Sequence, residues 1–190
     1  MLGWSDECMV LQARIHSIKL WRPEEEWPDL SEVQLLKTME VWLSPYLTSI
    51  YKRSELEKLD LKTMLLGFLS WSQQGKLESL APSRISVPSG AMISIQYFHG
   101  GSPPVMEVRL QEMFGLLETP TVNEGQTKIL LHLLSPGYKP VQVTQDLRSF
   151  WKTTYHDVRK ELRMRYPRHS WPEDPWTAVA VRGPKKRNQS

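Results

Sequence analysis

The chain has 190 residues, 40% hydrophobic and 24% charged, with a net charge of +3 and a single cysteine. This length allows one domain or two small ones with a real core, and the composition is that of an ordinary globular protein. Cys8 alone excludes an intrachain disulfide or a multi-thiolate zinc site, and no apolar run is long enough for a membrane-spanning helix.

The N-terminus carries Asp6 and Glu7 where a signal peptide would carry basic residues, so the chain reads as cytoplasmic. Helical spacing of Met9, Ala13 and Leu20, with Ile15 and Ile18, predicts a helix from Asp6 to about Trp21 that buries Cys8 and stops before Pro23. Ser31 with Gln34 has the form of a capping box, opening a helix whose apolar face is Leu35, Met39 and Trp42, joined by Leu36 and Leu43, as far as Pro45. A third helix is expected from Asp60, with Leu61, Met64, Leu65, Phe68 and Leu69 inward and Trp71 near its end. Turns are expected around Ser54–Leu59 and Lys76–Leu80.

After Ala81-Pro82 the period changes from helical to alternating. Arg84–Val87, Ala91–Phe98, Val105–Leu110, Thr127–Leu134 and Val141–Val143 read as strands, with a turn at Gln111–Gly115. Five short strands suit a small, partly open barrel of the oligonucleotide-binding (OB) type, and a generic small sheet remains the alternative. Beyond Thr144 helix returns, with Thr154 and Asp157 as its expected capping box and Tyr155, Val158 and Leu162 on one face. The fold class is therefore α+β. Its expected parts are a helical segment (1–80), an OB-like barrel (81–144), a basic and aromatic extension (145–176) and a disordered basic tail (177–190).

Charge is unevenly shared. Residues 1–138 hold 12 Lys and Arg against 16 Asp and Glu, net −4, whereas residues 139–190 hold 12 against 5, net +7. Basic charge gathered at one end points to a polyanion, nucleic acid first and an acidic protein or lipid headgroup second, with a merely solvated basic helix as the plain alternative. Between Lys139 and Pro175 these cations interleave with Phe150, Trp151, Tyr155, Tyr166 and Trp171, the residue types that hold phosphates and stack on bases.

Catalytic motifs are lacking. Gly75-Lys76 is the nearest approach to a phosphate loop, but Leu77 replaces the Ser or Thr and no glycine stands five residues before Gly75. Asp6-Glu7-Cys8-Met9 resembles a helicase Asp-Glu box only superficially, because it lacks the closing His, and the acids suit a helix N-terminus. His16, His99, His132, His156 and His169 are scattered, with no metal-ligand spacing. The sequon at Asn188-Gln189-Ser190 carries no meaning in a cytoplasmic tail.

Longer segments resemble a known family. These include Trp27-Pro28-Asp29-Leu30, Trp42-Leu43-Ser44-Pro45-Tyr46-Leu47, Ser89-Gly90 and Glu107 through Gly115 (EVRLQEMFG). More specific are Leu134-Ser135-Pro136, Lys139 through Leu147 (KPVQVTQDL), Phe150-Trp151, Val158 through Arg163 (VRKELR) and Arg165 through Pro175 (RYPRHSWPEDP). Together they resemble the C-terminal region of HrpB-type helicases, a bacterial branch of the DEAH-box ATP-dependent RNA helicases, over residues 4–175. Met164 and Ser170 depart from the family's usual Gly and Pro, which affects loop geometry only. The resemblance implies a helix-bundle remnant, an OB-fold and an extension that sit on the motor domains and line the RNA channel. It also implies that the motor motifs, with ATP and Mg as their cofactors, lie outside this sequence, which reads as an excised region or truncated product without catalysis of its own.

On this reading the partners are single-stranded RNA or another nucleic acid and the helicase motor domains, with no membrane. Arg148, Lys152, Arg159, Lys160, Arg163, Arg165 and Arg168 are the expected phosphate contacts, and Tyr166 or Trp171 the expected stacking platform, with a core role the equal alternative for both because the flanking prolines either hold them exposed or pin them inward. Phe150, Trp151 and Tyr155 read as core, Glu161 and Arg165 as a helical i,i+4 pair. The competing reading is a protein-docking module with Arg and Trp anchors and no RNA contact.

Overall fold

The computed structural model describes residues 4–47, 50, 52–56 and 58–184. The 54–59 turn therefore falls only partly, and the 188–190 sequon not at all, within the described residues. Contacts divide the chain into two units, Met1–Ala81 with Tyr97–Ser102, and Pro82–Gln96 with Pro103–Ser190.

The first unit is helical. Helix α1 (Asp6–Trp21) is capped by the Ser5 side chain, which accepts from the Cys8 amide, and carries Asp6 and Glu7 in its first turn, where the helix dipole favours them. Cys8 is buried as expected, but Met9 and Leu20 are exposed. The periodicity misled because polar residues occupy inward positions. Arg14 donates from Nε to the Ala81 carbonyl at 2.6 Å and pairs with Glu78, while Gln12 donates to the Leu30 carbonyl. Buried polar groups persist only when satisfied in this way.

The single helix expected over 31–45 is broken into α2 (Glu32–Lys37), α3 (Met39–Trp42) and α4 (Ser44–Leu47). Ser31 caps α2 through the Gln34 amide, whereas its own amide turns to Asp29. Thr38 ends α2 by bonding its hydroxyl back to the Gln34 carbonyl. After α5 (Arg53–Leu56), α6 (Leu61–Leu66) starts on the Asp60 cap as predicted, with Leu61, Met64 and Leu65 buried. The expected turn at Lys76–Leu80 is instead the end of α7 (Trp71–Leu80), opened by a complete Ser70–Gln73 capping box. Trp71 is the exposed first residue of that helix, not the end of the one before.

The second unit is built on a mixed five-stranded sheet. Its strands are β1 (Arg84–Ser86), β2 (Met92–Gln96), β3 (Val105–Arg109), β6 (Leu130–Leu134) and β7 (Pro140–Thr144), hydrogen-bonded in that order. A short hairpin, β4 (Thr121–Val122) and β5 (Thr127–Lys128), interrupts them, so the strand expected over 127–134 is split at Ile129. Its turn uses left-handed Asn123, Glu124 and Gly125. β3 and β6 pair in parallel, as their long connection permits, and the other pairs are antiparallel. The fold class is α+β as predicted, and among the described residues the ladder does not join β1 to β7, so the sheet is not closed.

The sheet's inner residues Val108, Leu131 and Leu133 share the unit's buried set with Phe114, Trp151 and Tyr155. The C-terminal helix does not start at Thr154, which makes no cap bond. It starts about two turns earlier, where Asp146 accepts from the Ser149 amide and opens α8 (Leu147–Ser149), a π-turn over Phe150–Thr154 and then α9 (Tyr155–Arg165).

Candidate nucleic-acid interface

The wide π-turn delivers Phe150, Trp151 and Tyr155 inward together, with ring centroids 5.1 to 6.4 Å from one another, and Trp151 and Tyr155 each lie 5.9 Å from Phe114. Their polar ends are satisfied. The Trp151 indole donates to the Leu116 carbonyl at 2.9 Å, and the Tyr155 hydroxyl donates to the Pro172 carbonyl at 2.7 Å, with burial pushing that hydroxyl's pKa up. Their role as core is therefore the observed one.

The Arg165–Pro175 run folds back as a strap across the same core. Trp171 is only 8% exposed, and its indole donates to the Tyr166 carbonyl at 2.8 Å. Its own carbonyl accepts from Arg159 Nε at 2.9 Å, and Arg159 reaches Glu173 at 3.2 Å. Gly115, at φ +79, donates to the Pro175 carbonyl, and farther on the Val181 amide donates to the Gln111 carbonyl. Residues 177–184 thus lie, at least in part, against the unit, while 185–190 fall outside the described residues. A buried Trp171 offers no face to a base, and Arg159 has its guanidinium committed.

The remaining candidates divide by partner. Arg148 pairs with Glu118 at 2.7 Å, Lys160 with Asp157 at 3.2 Å and Arg165 with Glu161 at 3.3 Å, all at exposed positions where such pairs open readily. The Glu161–Arg165 pair is the one the spacing predicted. Lys152, Arg163 and Arg168 are exposed with no ion-pair partner among the described residues. On α9, His156, Lys160 and Arg163 follow one another at intervals of four and three, which puts them along one solvent-facing side that adjoins the buried side of Tyr155 and Leu162. Lys152 precedes His156 by four in the π-turn.

Tyr166 is half-buried. Its ring covers Gly137, where a Cβ would come within 2.6 Å of the hydroxyl, and stands edge-on to His169. The imidazole of His169 is held below its ordinary pKa by burial and by Arg109. The exposed aromatic in this neighbourhood is instead Tyr138, 66% exposed in the β6–β7 turn at φ +59, with the Arg109 guanidinium 5.2 Å from its ring centre. Sequence reasoning passed over Tyr138; its signal was an aromatic following Pro136-Gly137, a turn dipeptide that presents the next side chain outward.

Arg109 is fixed by Glu112, itself buried, at 2.8 Å, and the other Glu112 oxygen accepts from the Ser89 hydroxyl at 2.8 Å. The EVRLQEMFG and Ser89-Gly90 segments are therefore one internal clamp between the β1–β2 turn and the end of β3. Among the described residues no cluster of three or more His, Cys, Asp or Glu could hold a metal ion. Gly75 and Lys76 lie inside α7, where backbone amides are committed to the helix, so they form no phosphate cradle.

With this geometry in place, comparison with known proteins is specific. The family described as the ATP-dependent helicase C-terminal region, HrpB_C, matches residues 42–175. The chain belongs to this family. It is 40% identical over 186 residues to the ATP-dependent RNA helicase HrpB of Escherichia coli K12, covering 98% of this chain and 23% of that protein. A crystal structure of the E. coli DExH-box NTPase HrpB superposes with a TM-score of 0.89 at 39% identity, over 95% of this chain and 22% of the other. A second, titled as the E. coli DEAH/RHA helicase HrpB, superposes at 0.74 over 90% and 21%. The chain thus spans about a quarter of the length of the relatives it matches.

Proposed function

We propose that this chain is the accessory region of a cytoplasmic, bacterial ATP-dependent RNA helicase, guiding single-stranded RNA along α9 and docking on the motor portion. The observation that carries the reading is the division of labour in the extension. Its buried aromatics are consumed by packing, while Lys152, Arg163 and Arg168 face solvent with their charge uncommitted, next to the openable pairs of Lys160 and Arg165. Cations in that state can exchange counterions for phosphates without breaking structure. Tyr138, with Arg109 behind it, supplies the exposed ring on which a base stacks.

The name of the E. coli relative supports RNA as the polyanion, and the open five-stranded sheet supports an OB-type platform beneath it. No helix among the described residues is long and apolar enough to cross a membrane. ATP and Mg belong, on this reading, to the motor portion that the relatives carry beyond the matched quarter. Fluorescence anisotropy with a labelled single-stranded RNA tests the proposal. The combined Lys152→Ala, Arg163→Ala and Arg168→Ala variant should lose about tenfold or more in affinity for every sequence alike. Unchanged affinity would refute it.

A further inference from the structure

The first unit carries a feature that the RNA reading does not use. A cleft of about 1360 Å³ lies among its short helices, walled by Leu35, Leu36, Met39, Trp42, Leu59 and Leu61. It is larger than ordinary small-ligand pockets, which run to about 300–1,000 Å³. Three of its apolar wall residues are left open to solvent, Leu36 at 59%, Met39 at 39% and Leu47 at 38% exposed. The start of α1 forms one side of it, and the other helices that line it, α2 to α6, are four to six residues long. Helices that short owe their stability to packing rather than to propensity.

The rim selects the occupant by charge. Glu7, Glu32 and Asp60 line it against a single cation among the described residues, Lys62, which pairs with Glu7 at 2.8 Å. The first unit as a whole holds 9 Lys and Arg against 12 Asp and Glu, net −3. An acidic rim repels phosphates, which argues against RNA. A second copy seated through the same face would bring these carboxylates against their own equivalents. An apolar floor between acidic edges fits a helix with one apolar stripe and flanking Lys or Arg, the helix-in-groove mode of recognition.

We propose that this cleft seats a cationic amphipathic helix from the remainder of the helicase. The inference rests on the docking half of the proposed function and moves the docking surface from the basic extension to the acidic, apolar first unit. Two labelled 18-residue helical peptides test it on the whole chain, one Leu/Lys and one Leu/Glu with the same apolar stripe. The Leu/Lys peptide should bind, and its affinity should fall about tenfold in both Leu36→Glu and Glu32→Lys, exposed substitutions that leave the circular dichroism spectrum unchanged. Equal binding of the two peptides, Leu/Lys binding indifferent to both variants, or a chain dimer that Leu36→Glu dissociates would each overturn it. RNA affinity should be the same in Leu36→Glu as in the parent. Peptide binding without RNA binding would therefore sink the RNA reading alone, and RNA binding without peptide binding this inference alone.

Discussion

Trp171 and Arg163 stand eight residues apart and do opposite work. Trp171 is buried with both of its backbone-linked bonds made, so Trp171→Ala should cost about 3–5 kcal/mol, read as a lowered Tm, and reduce RNA binding only through unfolding. Arg163→Ala touches nothing in the fold and should stay within about 0.5 kcal/mol of the parent while weakening RNA binding. Arg159 resembles Arg163 in sequence but bonds Trp171 and Glu173, so its substitution mixes the two effects.

His16 supplies a pH test of the first unit. Its Nε2 accepts the Gly100 amide at 3.3 Å, and burial, followed by the neighbouring His99 and partly opposed by Asp29, holds its pKa below the ordinary value, with Lys19 also lowering it. The folded state thus favours the neutral ring, so the stability it contributes is full above the unfolded imidazole pKa of about 6.5 and is lost as pH falls through the depressed one. Urea unfolding between pH 7.5 and 5 should show this decline, and His16→Gln, which keeps an acceptor without titrating, should flatten it.

Among the elements, legibility followed the strength of local signals. α1 and the start of α6 were readable because Pro23 and Asp60 mark their bounds, and the β-period beyond Ala81 was readable because Ile93, Ile95 and Tyr97 alternate. α7 was missed because Gly75 and a run of Ser and Gln give it no apolar stripe, although its Ser70–Gln73 capping box was in view. The β4–β5 hairpin was missed because strands of two residues carry no period. The C-terminal helix start was misplaced because Asp157 supplied a plausible box to Thr154, while the cap that forms is Asp146. Asp146→Ala should therefore cost about 1 kcal/mol in thermal unfolding, and Thr154→Ala at most a few tenths.

At the scale of the whole chain, charge and apolar exposure are partitioned between the units. The second unit holds 15 Lys and Arg against 9 Asp and Glu, net +6, beside the −3 of the first. The sequence showed this asymmetry, and it marked α9 as the place to look. Which cations were committed was not legible, because the partners of Arg159 and Arg148 come from Trp171, Glu173 and Glu118, set by tertiary folding rather than by helical spacing. Tyr138 had a local signal in the preceding Pro136-Gly137, but the Arg109 guanidinium that lies against its ring comes from β3 and is set by tertiary folding.

The most direct test of the RNA-guiding role is the salt dependence of single-stranded RNA affinity, measured for the parent and for the Lys152, Arg163, Arg168 triple alanine variant. Each phosphate contact contributes about 0.7 to the slope of log K against log salt on single strands. The account predicts a steep fall for the parent and a slope shallower by about 2 in the variant, with equal Tm. Superimposable slopes, or no RNA binding by the parent at low salt, would contradict it.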